Sequence, residues 1–242
     1  RKAEIIFGIL EDCLINTDEQ VARKMLNDPD VVCTRQIFRQ SRACYEYDRE
    51  YMWAKEFYES ESRTMHQLHY PDFDRNKSMI NHECDLLSQV SGNCFKRILF
   101  VGSGPWPITP ILLAERYKAH VDCVDISTQA CEVASHVVSK LQMRKNMSFF
   151  NEDILDIDIL QDYDLVYVAA LVGSTDQEKR TTLNHIVHRL NVGATIVIRT
   201  AKLLRTLFYV EVKPEWLGQC VVHDGGIPPG KVIVSAMLGR KK

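Results

Sequence analysis

Gly102-Ser103-Gly104-Pro105 follows an apolar run, Arg97–Val101, and precedes a helical one. Glycines at such a turn let the backbone bend sharply and approach a ligand closely. The next apolar run ends in Asp125, 21 residues after Gly104. A carboxylate there can accept hydrogen bonds from a ribose diol. A third run closes on Asn151-Glu152-Asp153, where an acid or amide can meet an adenine edge. These residues, with Ile126, Ile154 and Ala170 beside the strand ends, predict a nucleoside-bearing ligand. A dinucleotide site would carry a third glycine, G-x-G-x-x-G. Pro107 stands in its place, after Pro105 and Trp106. Two prolines remove two of the N–H groups that a pyrophosphate would use. S-adenosylmethionine (AdoMet) has no phosphate, so it is the favoured ligand, against NAD or a degenerate, non-binding loop.

These residues need a scaffold, and the chain changes character near residue 95. Residues 1–90 hold no strand-like run and one glycine, Gly8. Residues 3–15 carry Ile5, Ile6, Ile9, Leu10, Cys13 and Leu14 at helical spacing. Residues 34–62 predict a long amphipathic helix with room for one break; its aromatics read as packing, one tyrosine being free to roof a pocket. Tyr70-Pro71-Asp72 breaks the pattern, and Asp74 or Asn76 then caps a helix over 77–90 that ends near Gly92. Beyond it, strands are expected at 97–101, 121–126, 147–150, 164–170 and 194–199, with helices at 107–118, 128–143 and 177–190. That alternation predicts an α/β fold: a Rossmann-like, AdoMet-binding, doubly wound sheet with an N-terminal α-helical domain. The runs 220–223 and 231–237 would add antiparallel strands at its edge. The expected division is 1–94, a helical lid on the acceptor side, and 95–242, the Rossmann-like domain.

Composition narrows the function classes. Formal net charge is −2 with 26% charged residues, so no basic excess exists to hold nucleic acid. No run approaches the ~18–20 apolar residues of a membrane span. Arg1-Lys2-Ala3-Glu4 turns amphipathic at once and does not resemble a signal peptide. The eight cysteines include no C-x-x-C pair and read as small, reduced core residues. Together these give a cytoplasmic reading. His185 and His188 lack an H-E-x-x-H frame and read as surface or packing residues, so no metal site is expected.

Ile98–Thr109 (ILFVGSGPWPIT) resembles the F-V-G-S-G-P-L-P-L-T loop of nicotianamine synthases. Val197-Ile198-Arg199-Thr200-Ala201, then Arg205-Thr206-Leu207-Phe208-Tyr209, resembles the family's V-V-R-S-A…R-A-F-L-Y segment. Tyr70-Pro71-Asp72-Phe73-Asp74 and Glu83-Cys84-Asp85-Leu86-Leu87 resemble its F-P-Y-Y-D/N and L-E-Y-D-L-L blocks at the same spacing. The resemblance implies transfer of the 3-amino-3-carboxypropyl (aminobutanoyl) group of AdoMet, as co-substrate, to an amine, with release of methylthioadenosine. Plant and archaeal members repeat the transfer and make nicotianamine. Bacterial relatives add one group to histidine, and an opine dehydrogenase then completes a staphylopine- or pseudopaline-like metallophore. Family members often pair, which leaves a homodimer open.

Such a transfer is an in-line displacement at the γ-carbon, and the sulfonium leaves as a neutral thioether without help from an acid. The acceptor amine needs a base, because an α-amino group titrates at roughly 7.7–8.0. The resemblance points to Glu83 for that role. Glu46 or Asp48, in a weaker likeness to a C-x-E-x-E segment, is a second acid; the competing reading is a solvated helix face. Arg199 and Arg205 are expected to hold substrate carboxylates. Tyr70 and Asp72 are expected on the acceptor side. Asp72 replaces a family aromatic, and its carboxylate could face a histidine imidazole, which favours the single-transfer bacterial branch over nicotianamine synthase proper. The other readings are a small-molecule N-methyltransferase and a non-catalytic AdoMet-binding protein.

Overall fold

The structure is a computed structural model that describes residues 2–64, 70–92, 94–226 and 232–242. Four helices come first: α1 (Lys2–Asn16), α2 (Glu19–Leu26), α3 (Pro29–Glu59) and α4 (Phe73–Ser91). Then follow β1 (Arg97–Val101), α5 (Ile108–Tyr117), β2 (His120–Asp125), α6 (Thr128–Lys140), β3 (Met147–Asn151), β4 (Leu165–Val168), α7 (Asp176–Arg189), β5 (Thr195–Thr200), β6 (Cys220–Asp224) and β7 (Ser235–Lys241).

The seven strands run in the order β3-β2-β1-β4-β5-β7-β6. The first five pair in parallel, and β7 lies antiparallel between β5 and β6. Chain order reverses between β1 and β4, which is where open α/β sheets bind ligands. The central strands are buried on both faces, as parallel strands covered by helices must be. Ile98, Phe100, Tyr167 and Val197 point to one side, towards Phe57, Ile80, Cys84 and Leu87 of α3 and α4. Leu99, Val101, Val166 and Ile198 point to the other, towards Leu183, Ile186 and Val187 of α7. Residues on both sides of the expected 94/95 division therefore share one core.

The helical region departs most from expectation. The chain enters α3 through Asp28, whose carboxylate accepts from Asp30 N–H at 2.9 Å, with Pro29 in the first turn. That start lies upstream of residue 34, and the helix runs unbroken to Glu59. Sequence reading missed α2 despite its Asp18 cap, which accepts from Gln20 N–H at 2.8 Å. Asp72 is the residue before α4; Asp74 and Asn76 lie inside the helix. The last strand spans 235–241 rather than 231–237, and residue 231 lies outside the described residues. Four cysteines are buried (Cys84, Cys123, Cys131, Cys220) and four exposed (Cys13, Cys33, Cys44, Cys94), so the core reading holds for half of them. No helix among the described residues is long and apolar enough to cross a membrane.

Candidate active site

A cavity of about 1170 Å³ opens over the carboxyl ends of β1, β2, β4 and β5 and is covered by α3 and α4. The sheet side is built from the glycine loop. Gly102 and Gly104 hold φ of +78° and +63°, a region that favours glycine. A Cβ on Gly102 would stand 2.4 Å from Val172 Cγ2, and one on Gly104 would stand 2.6 Å from Glu50 Oε2. Asp125 ties the loops together: Oδ2 accepts from Gly104 N–H at 2.8 Å and Oδ1 from Ser127 N–H at 2.9 Å. Each carboxylate oxygen keeps a lone pair for a diol. Ser103, Pro105, Ile126, Asp153, Ile154 and Ala170 all line the same cavity. Asp153 spends Oδ1 on Leu155 N–H at 2.9 Å, and Ile126 is 77% exposed at the rim. Pro107 caps α5 and Pro110 occupies its first turn, so this helix start is poor in free N–H groups.

The loop after β4 is held from behind. Lys179 of α7 is fully buried, and its Nζ donates to Ala169 O at 2.9 Å and Ala170 O at 3.2 Å. Burial pulls its amine down to about 7. Arg39 of α3 donates to Ser174 O and Thr206 O, each at 3.2 Å, fastening the helical cover to this loop. At the far end of α3, Lys140 of α6 donates to Phe57 O at 2.6 Å and Tyr58 O at 3.3 Å. The cover is thus pinned at both ends by cations that read its carbonyls or its neighbours'.

The helix side holds the ionisable groups. Arg42 donates to Glu46 Oε1 at 2.7 Å and Glu11 Oε1 at 2.6 Å, with Phe7, Tyr45, Phe208 and Tyr209 around its guanidinium. Tyr209 O–H also donates to Glu46. Tyr70 lies between Trp53 and Trp106, with ring centroids 5.5 and 5.7 Å away. Glu50 lines the cavity one turn beyond Glu46 and has no hydrogen-bond or ion-pair partner among the described residues. Burial pushes its carboxyl well above the usual range, and Glu46 and Asp125 push it further.

The structure corrects several expected roles. Glu83 is 1% exposed and does not line the cavity. Its Oε1 accepts from Arg199 Nε at 3.0 Å, and its Oε2 accepts from Arg199 Nη2 at 3.0 Å and Tyr167 O–H at 2.6 Å. A base must reach the proton it takes, and Glu83, buried behind Arg199, does not face the cavity. It instead aims Arg199, which does line the cavity and whose Nη1 has no hydrogen-bond partner among the described residues. Asp72 lies off the cavity wall, paired with Arg49 and with Arg75 Nη2 at 3.0 Å. Two guanidinium groups occupy the carboxylate expected to meet an imidazole. Arg205 is buried in a 3₁₀ turn, away from the cavity, with its pKa lowered by burial. Asp48 is exposed. Glu46 and Tyr70 do line the cavity.

Sequence reading missed Glu50, Arg42, Arg49 and Tyr209. A signal existed: 42, 46 and 50 are successive i,i+4 positions, so one face of α3 carries cation, acid, acid. Among the described residues no group of three or more His, Cys, Asp or Glu could hold a metal ion.

The family model for nicotianamine synthase protein matches residues 1–242. The nicotianamine synthase of Solanum lycopersicum is 32% identical over 183 residues, covering 73% of this chain and 57% of that protein. The chain spans a little over half the length of the curated relatives it matches. A crystal structure of MtNAS in complex with MTA and tNA superposes with a TM-score of 0.82 at 22% identity, over 99% of this chain and 89% of that one. MtNAS has also been crystallised, as a mutant, in complex with S-adenosylmethionine. The N-methyltransferase NodS from Bradyrhizobium japonicum WM9 shares the sheet core at a TM-score of 0.52 and 18% identity, over 72% of this chain and 98% of that one. On the full-length match and the relatives' identity, the chain belongs to the nicotianamine synthase family.

Proposed function

We propose that this chain binds AdoMet along the sheet side of the cavity and transfers its aminobutanoyl group to the amine of an amino acid held against α3 and α4, releasing methylthioadenosine. Family membership supports the reaction type, and the AdoMet complex of MtNAS supports the ligand. One observation carries the reading to this chain: an unpartnered carboxyl, Glu50, sits directly over Gly104, where the glycine loop meets the helical cover. The cavity, at about 1170 Å³, exceeds the ~300–1,000 Å³ usual for one small ligand and suits two.

In this reading the acceptor nitrogen forms its bond to the γ-carbon as the C–S electron pair goes to sulfur. The sulfonium becomes a neutral thioether. Glu50 takes the proton released from nitrogen, and Arg199 Nη1 holds a substrate carboxylate. Glu46, bonded to Arg42 and Tyr209, fixes the wall around the acceptor.

The acceptor we favour is histidine, as in the bacterial members that feed an opine dehydrogenase. The support is the resemblance and the replaced aromatic at Asp72, whose carboxylate is held by Arg49 and Arg75 rather than free for an imidazole. Supplying the protein with AdoMet alone and with L- or D-histidine, then weighing the products, tests this. One aminobutanoyl unit on histidine supports it. Nicotianamine formed from AdoMet alone replaces it with nicotianamine synthase proper.

A further inference from the structure

The charged groups on the helix side of the cavity are matched, with one exception. Arg42 is matched by Glu11 and Glu46, Arg49 and Arg75 by Asp72, and Arg199 by Glu83. Across the cavity, Asp125 is held by two backbone N–H groups. On the helix side Glu50 alone lacks a hydrogen-bond or ion-pair partner among the described residues, and it stands against the same glycine whose N–H Asp125 accepts. The groups that face it are Glu46 and Arg49 from α3, Tyr70 before α4, Asp125 from β2 and Arg199 from β5. Those two arginines already belong to Asp72 and Glu83.

Glu50 is half-buried, faced by two acids and by two arginines engaged elsewhere, so its carboxyl rests as the neutral acid until a cation arrives. The ligand assigned above brings that cation, its sulfonium. We propose that AdoMet generates the base its own reaction requires: its binding drives the proton off Glu50, and the resulting carboxylate then takes the proton of the acceptor amine. This rests on the AdoMet reading above. The balance closes. The empty site holds a carboxylic acid; the complex holds a carboxylate with a sulfonium, one proton having left to solvent. After transfer, the site holds a carboxylic acid beside a neutral thioether. The local charge stays at zero throughout, which a buried site favours. A further consequence is order: AdoMet must bind before the acceptor meets an active base.

Calorimetric titration of AdoMet in buffers of different ionisation enthalpy tests this. The titration is run at about pH 6.5, below the range in which an α-amino group titrates. The wild-type protein should release close to one proton per AdoMet and none with methylthioadenosine, which carries no sulfonium. Glu50→Gln should bind AdoMet without release. Wild-type affinity should also rise up to tenfold per pH unit below the carboxyl's titration point, and the variant's should stay flat. The methylthioadenosine arm keeps the test alive should Glu50→Gln fail to fold. Release that persists in Glu50→Gln, release with methylthioadenosine, or no release with AdoMet would each overturn the proposal. Methylthioadenosine formed in turnover without proton release on AdoMet binding would overturn it while leaving the transferase reading intact. S-adenosylhomocysteine formed in turnover, with release intact, would overturn the transferase reading while the claim about Glu50 survived.

Discussion

The two walls of the cavity are built by different means. The sheet wall is largely local: each ligand-facing residue follows its own strand, and hydrogen bonds to backbone N–H and C=O groups fix it. Gly102 N–H donates to Val124 O at 2.8 Å and Gly104 N–H to Asp125 Oδ2 at 2.8 Å. The helix wall is assembled from distant segments by side chains alone. Arg42 joins α1, α3 and Tyr209; Glu83 joins α4 to β4 and β5. The first wall can bind a nucleoside whatever the chemistry. In the proposed reaction, the second decides which carbon on sulfur is attacked and by what. A shared sheet with NodS therefore says little about reaction type.

If this division is right, substitutions on the two walls should separate binding from turnover. The largest effect is expected at Glu50. Glu50→Gln should lower kcat by about 10²–10⁴-fold, with a smaller loss of AdoMet affinity that grows as pH rises, read by steady-state kinetics beside calorimetry. Equal losses in both would erase the distinction between the walls. Glu83 comes next, because it joins them. Glu83→Gln leaves Arg199 charged and unpaired in a buried position, at a cost of about 3–5 kcal/mol in a denaturant titration. In folded protein its signature should be a raised substrate KM rather than an altered pH profile, since Glu83 aims a guanidinium and moves no proton.

Gly102→Ala probes the sheet wall alone. Its Cβ would meet Val172 Cγ2 at 2.4 Å, and the positive φ adds about 1–2 kcal/mol of strain. AdoMet affinity should fall, and kcat at saturating AdoMet should hold.

The remaining effect concerns pH and touches neither wall's chemistry. In the folded chain the Lys179 amine titrates near 7, whereas an unfolded lysine titrates at about 10.4. Between these values the unfolded state binds more protons, so stability should rise with pH across that window. The contribution is complete above the unfolded value and is lost as pH falls towards 7. Lys179→Met should flatten the slope of Tm against pH; an unchanged slope would mean the amine is not desolvated behind Ala169 and Ala170.

The same contrast governs what was legible in the sequence. β1 was read to the residue, and the glycine loop, Asp125 and Asp153 stand where their strand ends put them. Such positions follow from short-range rules: apolar runs, turns and a two-residue period. The helix wall depends on which face of a 31-residue helix meets the sheet, and that is settled by packing far along the chain. Glu83 was conspicuous within a family motif, yet burial beside Arg199 gives it a different task. Glu50 drew no notice within Tyr47-Asp48-Arg49-Glu50, a run that reads as a solvated face until α6 and the glycine loop are set against it. The α4 start was placed late because Asp72 precedes the helix without a side-chain capping bond.

The central claim is that the helix wall directs attack to the γ-carbon and not to the methyl group. Incubating the protein with AdoMet and histidine, and resolving the nucleoside products by chromatography, tests it most directly. Methylthioadenosine, formed in step with aminobutanoyl-histidine, is the expected result. S-adenosylhomocysteine with a methylated acceptor would contradict it.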